Sequence, residues 1–148
     1  MTAEVRLNLK GSLDYLGIVW QAAEGLLETI QFPEDPVQTR YNLLLAIQEA
    51  LTNIIRHGHR GQLGDSEIEI VLAHSDESLT VELRDDSPAF DPTVVVDLPD
   101  VEDRENLPEG GYGLHIIRAV VDKLRYERDG TQNVLTLEKY AVPVLDEV

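Results

Sequence analysis

Polar and apolar residues alternate over "EVRLNL" at positions 4–9, the period of a strand with one buried face. Ser12 then stands at a helix start, and Leu13, Leu16, Trp20, Ala23, Leu27 and Ile30 recur at helical spacing, which predicts a helix with a single apolar stripe. In "EDPVQ", Asp35 at the N-cap, Pro36 at N1 and Gln38 at N3 announce a second helix. Its stripe is Leu43, Leu44, Ile47, Ala50, Leu51, Ile54 and Ile55, and it runs to about Gly58. Beyond the turn "GQLGD", Ile68, Ile70 and Leu72 alternate with polar residues, and Leu79, Val81 and Leu83 do so again after "HSDES", which predicts a hairpin. From Asp86 to about Gly110 no period survives among Pro88, Pro92, Pro99, Pro108 and many acids, and a stretch of that length reads as a lid over a binding site. Leu114, Ile117 and Val121 restore helical spacing, and "LRYERDGTQNVLTLEKY" closes as two strands about an Asp-Gly turn.

The order βααββ, lid, αββ predicts an α+β fold, a two-layer α/β sandwich with a mixed, mostly antiparallel sheet and its helices on one face. At 148 residues and 43% hydrophobic, the chain has the size and apolar content of one domain, expected over residues 1–141 with 142–148 as a short tail. Its 28 acidic and 12 basic residues give a net charge of −16 without any Lys/Arg cluster, which argues against nucleic acid and anionic membranes as partners. The absence of cysteine excludes disulfides, thiolate metal sites and a thiol nucleophile. With neither a signal peptide nor an apolar run of bilayer length, a soluble cytoplasmic protein is expected.

Three places then carry candidate chemistry. Glu49 and Asn53 lie one helical turn apart, away from the apolar stripe. Alone such a pair is the wet side of an amphipathic helix, but a carboxylate and an amide oxygen so placed also suit Mg²⁺ and the activation of a hydroxyl. In "LTVELRDDSPAFDP" the alternation that turns Leu79, Val81 and Leu83 inward turns Asp85 inward too. A buried carboxylate needs a donor, and the adjacent Arg84 points the other way, so a bound ligand is a candidate for that role unless the strand has already ended at Arg84. In "PEGGYGLHIIR", glycines at and before a helix start expose backbone N–H groups to an anion such as phosphate. It is neither a Walker A loop nor a dinucleotide fingerprint.

In this order the three sites resemble the nucleotide-binding boxes of the GHKL ATPase superfamily. "EALTN" is similar to the N box E-x-x-x-N, "DDSPAF" to the first glycine box D-x-G-x-G-F, and "GGYGLHII" to the second, G-x-G-L. The likeness spans nearly the whole chain and is strongest to the small bacterial anti-sigma factor serine kinases. It implies the Bergerat ATP-binding fold, ATP and Mg²⁺ as cofactors, and a homodimer. It also implies Asn53 as the Mg²⁺ ligand, Glu49 as the base on the attacking hydroxyl, and Asp85 as acceptor of the adenine amino group. Ser87, Ala89 and Phe90 would complete the first glycine box, while Gly111, Gly113 and Leu114 would turn backbone N–H groups to the phosphates. Ser87 and Ala89 replace glycines of the family pattern. His57 lies one turn beyond Asn53 and would border the pocket, while a zinc site from His57 and His59 lacks further ligands.

The activity implied is an ATP-dependent serine/threonine-protein kinase acting as an anti-sigma factor. It would phosphorylate an anti-sigma-factor antagonist protein and also bind a sigma factor or another regulator. The substituted first box keeps a second reading open, a nucleotide-binding or degenerate module that regulates partners by docking alone.

Overall fold

The structure, a computed structural model, describes residues 2–58, 67–89, 91 and 113–142. Strand β1 (Ala3–Lys10) leads through a short 3₁₀ turn, Leu13–Tyr15, into helix α1 (Leu16–Leu27). Helix α2 (Pro36–Asn53) follows, and its last turn widens into a π-helical segment, Ile54–Gly58. Strands β2 (Glu67–His74) and β3 (Ser78–Asp85) form the predicted hairpin, and helix α3 (Gly113–Val120) precedes a second hairpin, β4 (Lys123–Asp129) and β5 (Gln132–Tyr140). The Asp35 side chain accepts hydrogen bonds from Val37 N at 3.2 Å and Gln38 N at 3.3 Å, so the expected cap at the start of α2 forms.

The five strands make one sheet in the order β1-β2-β3-β5-β4, and each neighbouring pair is antiparallel. The parallel pair that a mixed sheet requires is absent among the described strands. β3 and β4 do run the same way, but the second hairpin lays β5 between them.

Alternation supplies the core. Ile68, Ile70, Leu72, Leu79, Val81, Leu83, Leu135 and Leu137 face inward and are buried together with Val19, Ala23 and Leu27 of α1, Leu43, Ile47 and Leu51 of α2, and Ile117 of α3. Burying each large aliphatic side chain contributes about 1.5–3 kcal/mol. Glu4, Arg6, Glu69, Glu82 and Arg84 lie together on the opposite face of the sheet, so the described helices cover one face only.

Of the predicted α1 stripe, Ala23, Leu27 and Ile30 are buried and Leu16 packs against the core, but the buried face is shifted from the predicted one at other positions. Leu13 is 43% exposed and Trp20 half-buried, while Val19 and Leu26 enter the core. Ser12 does cap, accepting from Asp14 N at 3.2 Å, but it caps the 3₁₀ turn. That turn advances with three residues per turn, so Leu13 falls out of phase with the stripe of α1.

The second hairpin also turns one residue later than "DG" implies. Asp129 still pairs with Gln132, and Gly130 and Thr131 form the two-residue loop, with Gly130 at φ 61°. At the far end of β5, the amides of Ala141 and Val142 donate to Glu77 O and Gln31 O, at 2.8 Å each. The expected tail beyond Val142, the turn "GQLGD" and most of the expected lid lie outside the described residues.

Candidate functional site

A single cross-strand row, Leu9, Ile68, Asp85, Asn133 and Arg128, crosses the sheet at the end where β3 finishes and β5 begins. Asp85 occupies the inward phase that Leu79, Val81 and Leu83 predict for it, and it is only 3% exposed. An isolated carboxylate there would cost several kcal/mol. Arg84 does not supply the partner, because on the other face it is held by Glu82 and by Asp129 at 3.5 Å. These carboxylates, Glu82 first, raise the Arg84 pKa.

The partners of Asp85 come instead from the chain itself. Its Oδ1 accepts from Ser87 N at 2.9 Å, an Asx turn, and from the Ser87 hydroxyl. Asn133 Nδ2 adds a third donor at 3.3 Å. Ser87, where the family pattern has glycine, is therefore no intrusion, since its buried side chain joins the carboxylate's hydrogen-bond set. The second oxygen, Oδ2, accepts no hydrogen bond among the described residues. A buried acceptor left over in this way fits a ligand donor such as an exocyclic amino group.

Asn133, Tyr126 and Arg128 escaped the sequence reading. Asn133 Oδ1 accepts from Tyr126 Oη at 2.5 Å and from Arg128 at 3.0 Å, and Arg128 also donates to Ser87 O at 2.8 Å. The signal was present, since Asn133 shares the inward phase of Leu135 and Leu137, just as Asp85 shares that of Leu83.

Glu49 and Asn53 lie on α2 where the spacing puts them, but neither is on a fully wet face. Both are half-buried, because Ala46, outside the predicted stripe, is also fully buried and widens the arc toward them. Neither side chain makes a hydrogen bond or ion pair among the described residues, which leaves both oxygen sets open to a ligand. A single amide ligand is compatible with Mg²⁺, which keeps several waters and takes the rest of its shell from substrate phosphates. No group of three or more His, Asp or Glu among the described residues would hold a metal unaided.

α2 packs closely against α3, so the helix carrying Glu49 and Asn53 adjoins the one that opens at Gly113. Leu114 is half-buried in the first turn of α3, and Ala89 is exposed beyond the Asp85 turn. Phe90 and Gly111 lie outside the described residues, as does the side chain of His57.

Helices layered on one face of an antiparallel sheet, with an acceptor buried at the end of its central strand, form a framework suited to holding a nucleotide base. The chain belongs to the histidine kinase-like ATPase domain family, whose model matches residues 9–139. It is 26% identical over 141 residues to the serine-protein kinase RsbW of Bacillus cereus strain Q1, an alignment covering 93% of this chain and 84% of that one. To the serine/threonine-protein kinase BtrW of Bordetella bronchiseptica it is 30% identical over 108 residues, 70% of this chain and 72% of the relative. These relatives put it among the serine/threonine-protein kinases built on that domain. The crystal structure of the RsbU and RsbW domains of Rv1364c from Mycobacterium tuberculosis shares the fold, with a TM-score of 0.64 at 14% identity. That likeness covers 99% of this chain and 35% of the longer one.

Proposed function

We propose that this chain is an ATP-dependent serine/threonine-protein kinase that acts as an anti-sigma factor and phosphorylates an anti-sigma-factor antagonist protein. The observation that carries the reading is Asp85, whose Oδ1 is filled by Ser87 and Asn133 and whose buried Oδ2 is left as an acceptor in a chain of this family. In this reading Oδ2 accepts a hydrogen bond from the adenine amino group. Asn53 presents its amide oxygen to Mg²⁺, and Glu49, one turn earlier, polarises the serine hydroxyl of the substrate protein. Bound Mg²⁺ offsets the phosphate charge that this acidic chain does not neutralise itself. The backbone N–H groups around Gly111, Gly113 and Leu114 are assigned to the phosphates. Residues 1–141 serve as one domain, acting in the cytoplasm as a homodimer that also engages a sigma factor or a similar regulator.

The test is calorimetric titration with Mg·ATP, followed by transfer of labelled γ-phosphate to a serine of a co-purified antagonist protein. Saturable binding and serine labelling are expected. Binding without transfer would leave the docking module as the function, and no heat at millimolar nucleotide would remove the ATPase reading for this chain.

A further inference from the structure

We infer that Asn133, braced by Tyr126 and Arg128, is a positioning residue that fixes the direction in which the Asp85 carboxylate meets the nucleotide base, and so sharpens the preference for an amino over an oxo group on that base. The inference rests on the nucleotide-binding reading above.

The orientation of the Asn133 amide follows from its neighbours. Its Oδ1 receives the Tyr126 hydroxyl at 2.5 Å and the Arg128 guanidinium at 3.0 Å. A guanidinium can only donate, so the oxygen of the amide must face it and the nitrogen must face Asp85. Nδ2 then lies within reach of Asp85 Oδ1 at 3.3 Å, Ser87 O at 3.1 Å, Ser87 Oγ at 3.0 Å and Pro88 O at 3.2 Å, among which its two hydrogens are shared. Arg128 pins the same turn from outside through Ser87 O at 2.8 Å.

Selectivity follows from counting donors. A carboxylate oxygen has room for about two, and Ser87 N, Ser87 Oγ and Asn133 Nδ2 already converge on Oδ1. A half-turn of the carboxylate merely exchanges two equivalent oxygens, but any smaller rotation strains these three bonds, so the carboxylate plane is fixed with one oxygen outward and without a donor among the described residues. An acceptor fixed there attracts an amino group and repels a carbonyl oxygen. Asn133 Nδ2 also holds Ser87 Oγ, Ser87 O and Pro88 O, so without it and its braces the turn that carries the other two donors loosens, the carboxylate loses its fixed direction, and that discrimination weakens. Asn133 is buried on β5 and Arg128 exposed on the edge strand β4, so the preference is set from two strands that do not themselves carry Asp85.

The experiment titrates the full chain with Mg·ATP and Mg·GTP, comparing wild type, Asp85→Asn, Asn133→Leu and Arg128→Leu, with thermal melting by circular dichroism alongside. Asn133→Leu should lower the ATP:GTP affinity ratio by about tenfold, the effect of one well-made hydrogen bond, and Arg128→Leu should lower it by about threefold. Should Asn133→Leu not fold, the exposed Arg128 carries the same test. Equal losses for ATP and GTP, or an unchanged ratio in folded variants, would overturn the positioning role while leaving nucleotide binding intact. A wild-type chain that does not bind ATP, or an Asp85→Asn variant that keeps the wild-type ratio, would overturn the nucleotide reading itself.

Discussion

Asn133 faces Asp85 directly across the β3–β5 ladder, and the two polar side chains, 5% and 3% exposed, meet at 3.3 Å beside the buried Ile68 of the same row. The pair converts a buried charge from a liability into an aimed acceptor, because the donors gather on one oxygen and leave the other for a ligand.

Asp85→Asn should therefore do more than remove a charge. The three donors around Oδ1 select the amide oxygen for the inner position, which turns the new NH₂ outward to where an amino group of the base would donate. Two donors then face each other. ATP affinity should fall about 10- to 100-fold, as for a hydrogen bond to a charged group, while GTP loses less. Isothermal titration of both nucleotides checks this, and equal affinities in wild type would remove Asp85 from the role.

Glu49→Ala and Asn53→Ala should fail in different ways. Asn53→Ala should lose the Mg²⁺-dependent part of nucleotide binding, and phosphorylation with it. Glu49→Ala should bind Mg·ATP as wild type does but transfer phosphate about 10²–10⁴-fold more slowly, the usual cost of losing a general base. Neither half-buried side chain holds a hydrogen bond among the described residues, so both variants should stay within about 0.5 kcal/mol of wild-type stability. Two variants indistinguishable from wild type in both assays would reduce the pair to the rim of an amphipathic helix.

Gly25→Ala and Gly130→Ala should have opposite signs although a new Cβ meets no atom within 4 Å at either position. Gly25 lies inside α1, where alanine should stabilise by about 0.5–1 kcal/mol. Gly130 sits at φ 61°, a conformation that costs an L-residue about 1–2 kcal/mol, so alanine should destabilise by that amount. Gly130→Asn should recover part of the loss, since asparagine tolerates that region. Urea denaturation of the three variants checks the order, and a stabilising Gly130→Ala would contradict the turn geometry.

Asp35→Ala removes the acceptor for Val37 N and Gln38 N and should cost about 0.5–2 kcal/mol in thermal or chemical unfolding. Nucleotide affinity should not change, because the cap lies at the opposite end of α2 from Asn53. A loss of affinity as large as the loss of stability would show that the start of α2 is coupled to the site.

The sheet was legible because period-two alternation is a local signal. Ile68 to Leu83 placed a hairpin, and the same phase placed Asp85 inside without any structure. The partners of Asp85 were not legible. Ser87 was read as a departure from a glycine pattern, and nothing in a single chain says that β5, rather than β4, lies beside β3. Asn133 therefore could be seen as an inward polar residue but not as the neighbour of Asp85. On α1 the stripe was legible at Ala23, Leu27 and Ile30, and Leu13 was misplaced because it lies in a 3₁₀ turn of a different period. On α2, Ala46 is buried although it lies outside the apolar stripe, a tertiary fact that places Glu49 and Asn53 at a rim rather than in open water.

Because Asp85 and Asn133 are ladder neighbours, the chain leaves β3 after residue 85 and, by way of α3 and the edge strand β4, returns in β5 beside its point of departure. Both ends are fixed by backbone pairing. The entropy of closing such a loop grows only logarithmically, about 0.6 kcal/mol for each doubling of a flexible length. The part of the chain between Asp86 and α3 can thus lengthen, shorten or change composition over evolutionary time at little cost to the rest of the fold. What physics holds fixed is the neck, so related chains can differ widely in the length of chain between the same pair of strands.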